Sequence, residues 1–303
     1  MSTFFCSDLA RSENEQLFGT VKRIRLHIAL EYASAWNRKT IESEFLPREV
    51  RQFVAQIRER IPETRFLLVR QKESKDRKPS CFLAVTQEAR AALYQWQLDD
   101  YRDMLSLDVQ ALLDGVSPMP PRAEPMFLIC NHGQHDKCCA KFGNPVLEAA
   151  RSAGGGQIWE SSHVGGCRFA ANLVCLPHGL VYGHLSPPDS IRAIRDHKDG
   201  KIFLPKFRGR ASFSKPVQAA EYFVRREEGI EEIDALCLAG SVQSGPASWT
   251  TTFALAGTNA SFVVEHTAAR SASPRLLACS DVEPEFVWIN HLVSITRLGQ
   301  TEQ

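Results

Sequence analysis

No stretch of this chain approaches the roughly 18 consecutive apolar residues of a membrane span. Its first residues, MSTFFCSDLARSENEQ, carry only an aromatic pair before polar residues, without the basic and apolar regions of a secretory signal. Surplus charge is also missing: 36 Lys and Arg stand against 35 Asp and Glu, a net charge of +1. Without a global basic field, neither nucleic acid nor a membrane surface is an expected partner. Internal repeats and low-complexity tracts are absent, and so is the Cys-x-x-Cys pair that thiol-disulfide exchange normally uses. A cytoplasmic location is the expectation that remains.

What is present is an ordinary globular composition, 44% hydrophobic and 23% charged over 303 residues, enough for a full core and for two domains. Nine cysteines are an odd number, and a reducing compartment argues against a disulfide framework. Metal binding or redox chemistry explains them better.

The apolar pattern predicts an α/β fold. Ile24 to Tyr32 reads as a buried strand, and Val50, Phe53, Val54, Ile57 and Ile61 share one face of a helix begun by Pro47. Phe66 to Val69 and Cys81 to Val85 read as strands separated by the polar KESKDRKPS turn. The run SPMPPRAEP, residues 117–125, is the expected linker, since four prolines in nine residues suit neither a helix nor a central strand.

Three segments follow from that punctuation: an N-terminal α/β domain over 1–118, a thioredoxin-like domain over 119–230 and a β-rich segment over 231–303. The middle one reads as a strand at Met126 to Ile129, a helix opened at Asn144–Pro145 and closed at Gly154, and a strand at Ile158–Trp159. A hairpin around Pro177, His178 and Gly179 and a helix after Ser186 complete a β-α-β-β-β-α order. A helix from Pro216 to Arg226 and tail strands such as Thr251 to Leu255 and Ser261 to Glu265 come next. The first 118 residues are either an independent unit or a second, cluster-free thioredoxin-like layer.

The chemistry concentrates in CNHGQHDKCC and HVGGC. Cys130 and Cys139 form one close pair and His163 and Cys167 another, each on a loop beside an apolar run, as a small metal centre requires. Gly165 and Gly166 permit the tight backbone that turns both members of the second pair inward. Three thiolates and an imidazole suit a [2Fe-2S] centre of intermediate charge, with proton coupling through the free imidazole nitrogen. Cys138 and Cys139 cannot both point inward from one regular turn, so Cys138 is expected to be a spectator or a sensing thiol.

At these residues the chain resembles the sucrase/ferredoxin-like family of thioredoxin-like ferredoxins. The resemblance covers FCSDLARSENEQLFGT, CNHGQHDKCCAKFGNP, WESSHVGGCRFAANLVCLPHGLVYGHL and RGRASFSKPVQAAEYFVR. It implies a [2Fe-2S] cluster held by Cys130, Cys139, His163 and Cys167, and a role as one-electron carrier or redox sensor for an unidentified reductase or acceptor protein. The family motif commonly ends in histidine, HxGGH, where this chain has Cys167, which changes the expected potential. The sucrase half of the family name finds no acidic pair placed for glycoside chemistry.

The remaining candidates carry weaker expectations. His132 and His135 are substitute ligands or solvent-facing turn residues. Arg168 is placed to pair with Glu160, and Lys137 and Lys141 to form a docking patch for an acidic partner. Trp159 reads as core. Cys6, Cys81, Cys175, Cys237 and Cys279 read as buried small hydrophobes. Two other functions compete: a structural zinc site, for which Cys3His is a standard set although its knuckles are usually shorter, and a thiol oxidoreductase working through Cys138 and Cys139.

Overall fold

A computed structural model describes residues 4–299. Its main body is one nine-stranded mixed sheet in the order β4-β3-β1-β2-β6-β5-β7-β8-β9. The first four strands span Leu26–Glu31 (β1), Thr64–Arg70 (β2), Ser80–Gln87 (β3) and Arg90–Gln97 (β4). After residues 117–125 come Met126–Cys130 (β5), Ile158–Ser161 (β6), Leu173–Leu176 (β7), Leu180–Tyr182 (β8) and Phe207–Arg210 (β9).

The order contains a repeated topology that no sequence repeat announces. β1 runs parallel to β2 and antiparallel to β3, and β3 pairs antiparallel with β4. β5 runs parallel to β6 and antiparallel to β7, and β7 pairs antiparallel with β8. Each half is therefore a four-stranded unit of the thioredoxin-like arrangement, and the two meet edge to edge. The seam is short: β2 and β6 pair antiparallel only at Val69–Ser161 and Arg70–Glu160. KESKDRKPS connects β2 to β3 without making them neighbours, because β1 lies between them.

Helix α2, Arg48–Arg60, covers the first half by burying Val50, Val54 and Ile57. α4, Lys137–Gly154, and α5, Pro187–Lys198, lie together over the second. Of two short helices, Val109–Asp114 (α3) buries Val109, Leu112 and Leu113 in the same core as α2, and Cys6–Ser12 (α1) packs against the cysteine loops. α6, Lys215–Glu228, carries a separate four-stranded antiparallel sheet: Leu236–Gly245 (β10), Ser248–Leu255 (β11), Ser261–Arg270 (β12) and Trp288–Leu298 (β13). Phe213, Val217, Phe223 and Val224 pack there against Phe253, Phe262 and Val264. Among the described residues no helix is long and apolar enough to cross a membrane.

One boundary differs in a way that matters. α4 does not open at Asn144–Pro145; it starts eight residues earlier, at Lys137, and holds Pro145 in its interior. Asp136 supplies the start, its side chain accepting the Cys138 N–H at 2.8 Å, and the burial of Val146, Leu147 and Ala150 carries the helix through Pro145, whose cost of about 3 kcal/mol the cap alone would not offset.

Candidate metal centre

Strand β5 ends at Cys130, and α4 begins seven residues later, so Cys130 and Cys139 flank one loop at the C-terminal end of this interior strand. Gly143 makes their approach possible: a Cβ there would stand 2.1 Å from the carbonyl oxygen of Cys130, a contact that only glycine avoids. The second pair comes from the loop after β6. Gly165 and Gly166 adopt φ of +105° and +75°, a left-handed path that favours glycine. The buried Arg208 of β9 props that loop, its Nη1 donating to the Gly165 carbonyl at 3.2 Å and to Asn172 Oδ1 at 2.8 Å.

These loops bring the four residues together. Cys139 Sγ lies 3.9 Å from Cys167 Sγ and 4.0 Å from His163 Nδ1, and Cys167 Sγ lies 3.5 Å from the same nitrogen. Cys130, Cys139 and His163 have donor atoms within 4.8 Å of one another. All three thiols are buried and reduced, while the His163 ring is half-buried.

The protons are shared unequally. Hydrogen bonding from Cys139 holds Cys130 and Cys167 below the ordinary thiol range, against the opposing effect of burial. Cys139, bonded to both and buried, is raised. Burial disfavours a charged His163, but Cys130 and Cys167 outweigh it and bring the ring to about 9. Such a nest of thiolates beside an imidazolium is ready to exchange its protons for a cation.

Two histidines extend the site. His135 stacks on His163 with ring centroids 3.7 Å apart, and its donor atom lies within 4.8 Å of those of His163 and Cys167. His132 is not solvent-facing: it is buried against Trp36, with neither ring nitrogen hydrogen-bonded. Trp36 belongs to residues 32–47, the segment of the first half that corresponds to the cysteine loop and contains no cysteine.

Several other expectations are corrected. Arg168 pairs with Glu15 at 2.7 Å, whereas Glu160 is taken by Arg70 and Arg151. Lys141 is bound to Asp8 at 3.0 Å and lies 3.6 Å from the Phe5 ring centre; Lys137 also lies over that ring. Lys141 is therefore paired, whereas Lys137 is exposed and meets no carboxylate among the described residues. Trp159, Cys81 and Cys175 are buried, but Cys237 is exposed. Cys6 and Cys279, from opposite ends of the chain, converge on Cys138. Sequence reasoning also missed Gly143 and Arg208, and it read Asp136 only as part of the polar loop between Cys130 and Cys139, not as the cap of α4.

The fold and the side chains define an α/β protein with a buried cysteine-histidine group at the C-terminal ends of β5 and β6. A family model described as sucrase/ferredoxin-like matches residues 17–209. The chain belongs to the sucrase/ferredoxin-like family. No match is found among curated proteins or among solved structures.

Proposed function

We propose that Cys130, Cys139, His163 and Cys167 hold a [2Fe-2S] cluster and that the protein is a one-electron carrier or redox sensor. The observation that carries this reading is the convergence of three buried thiols and one imidazole from two glycine-shaped loops, in a chain of this family. The donor set fits, since thiolates are the usual ligands of such a cluster and imidazole can replace some of them. Bound there, the cluster supplies reversible one-electron chemistry. The protein would set access and charge: His163 would hold the cluster through Nδ1, the nitrogen nearest the sulfurs, leaving Nε2 to take or release a proton.

Partner recognition is read from the rim. His135 and His163 line a cavity of about 280 Å³ whose wall also carries Lys22, Arg38, Arg58 and Arg65, together with Lys39, which is paired with Glu42 at 3.2 Å. A basic wall at the exposed edge of the centre suits a protein partner with acidic side chains, which it would steer and orient. Visible absorption that bleaches with dithionite, with iron and acid-labile sulfide in equal amounts, is the expected result for anaerobically purified protein. Thiol-disulfide exchange that survives Cys130→Ala and His163→Ala but not Cys139→Ala would replace this reading.

A structural zinc ion is the second reading, favoured by one observation. The Cys139–Cys167–His163 triangle has edges of 3.5–4.0 Å, close to the edge of about 3.8 Å for a tetrahedral ion with Zn–S of 2.3 Å. Colourless protein with zinc removed by Cys167→Ala would select it.

A further inference from the structure

Three cysteines outside the first centre converge from remote parts of the chain. Cys6 opens α1, Cys138 lies in the first turn of α4, and Cys279 belongs to the connection between β12 and β13. Their sulfurs form a triangle, with Cys6–Cys138 at 3.5 Å, Cys6–Cys279 at 3.5 Å and Cys138–Cys279 at 3.2 Å. All three are reduced; two are buried and Cys279 is half-buried. The Asp136 carboxylate belongs to the same group, with donor atoms within 4.8 Å of one another.

We propose that Cys6, Cys138, Cys279 and Asp136 form a second metal site, for one thiophilic divalent ion of the zinc type. Three thiolates and a carboxylate are a zinc donor set, and a tetrahedral ion with Zn–S of 2.3 Å separates its sulfurs by about 3.8 Å. The triangle reaches that size by opening a few tenths of an ångström. A disulfide requires about 2.05 Å and would use only two of the three sulfurs.

The backbone around the triangle is already fixed. Asp136 Oδ1 accepts the Cys138 N–H and Oδ2 accepts the Cys279 N–H, each at 2.8 Å, which leaves each oxygen a further lone pair. The Cys6 N–H donates to Cys279 Sγ at 3.4 Å. α1 is tied to the loop of the first centre by Ser7 Oγ, which donates to the Ala170 carbonyl at 2.6 Å. An ion here clamps the N-terminal helix, the start of α4 and the C-terminal connection together, and binding it releases the thiol protons to solvent. The site stands on its own geometry and does not depend on what the first centre holds.

Metal analysis of the full chain, wild type and variants, tests this. One zinc per chain is expected in addition to the metal of the first centre. Cys279→Ser and Cys6→Ser should each weaken zinc binding at least tenfold and leave the visible spectrum of the first centre unchanged. Cobalt(II) added to zinc-depleted protein should give thiolate charge-transfer absorption that disappears in Cys279→Ser and persists in Cys279→His, which retains a donor and so separates ligand loss from misfolding. Zinc content unaffected by either serine variant would overturn the proposal. So would zinc that follows Cys167→Ser instead, or a Cys138–Cys279 disulfide in freshly prepared protein.

Discussion

Cys138 and Cys139 share a peptide bond, yet their thiols belong to different groups. Cys138 Sγ lies 3.2 Å from Cys279 Sγ, and Cys139 Sγ lies 3.9 Å from Cys167 Sγ. Successive residues of a helix point about 100° apart, so the first turn of α4 can serve both. Cys139→Ala should abolish the visible absorption and the iron of the first centre, whereas Cys138→Ala should keep both. Equal losses in the two variants, by absorption and iron assay, would mean that the groups are not distinct.

In the proposed cluster, Cys167 would set the charge of the centre. Cys167→His replaces an anionic donor with a neutral one, and the potential should rise by roughly 100–300 mV with the cluster retained. Protein-film voltammetry measures this, and an unchanged potential and spectrum would remove Cys167 from the ligand set.

Gly143 and Gly166 allow the loops to close. A Cβ at Gly143 meets the Cys130 carbonyl at 2.1 Å, and one at Gly166 meets the Arg208 guanidinium at 2.5 Å from a φ of +75°. Gly143→Ala should cost about 1–3 kcal/mol, the usual range for overpacking, and lower metal content. Gly166→Ala should do the same through backbone strain, by about 1–3 kcal/mol. Urea unfolding with parallel metal analysis checks both; wild-type values in either variant would contradict the role given to that glycine.

Four buried histidines make stability depend on acid. Burial is the leading cause that holds His27 and His197 to about 3 and His184 and His266 to about 4, below the ordinary 6.5. As pH falls, the unfolded chain binds these protons before the folded chain does. The stability is therefore complete above about pH 6.5 and is lost progressively towards the folded values, each ring contributing about 1.4 kcal/mol per pH unit in that window. His27→Gln should show a shallower decline in the urea midpoint between about pH 7 and pH 5 than wild type. Parallel declines would show that His27 does not titrate as described.

The sequence displayed what local pattern encodes. Continuous apolar runs marked β1, β5, β7 and β8, and Ser186 ahead of two prolines marked the start of α5. The close pairs of CNHGQHDKCC and HVGGC marked residues that the fold brings within about 4 Å. Long-range geometry left little trace. Cys6 and Cys279 are separated by 273 positions, and nothing in either neighbourhood refers to the other. The doubled topology was one of the two alternatives open for residues 1–118, and local pattern could not choose between them because the first half keeps the strand order while residues 32–47 carry no cysteine. Pro145 misled for a local reason: a proline after asparagine resembles a helix start, but the Asp136 cap had already begun α4.

The most direct test of the central claim is electron paramagnetic resonance of anaerobically purified protein before and after dithionite, with iron and sulfide assays on the same sample. The account predicts a silent oxidised state, a spin-half signal after reduction that integrates to one spin per two irons, and loss of both iron and signal in Cys130→Ala. Colourless protein that gives no signal in either state and carries zinc at Cys130, Cys139, His163 and Cys167 would contradict it.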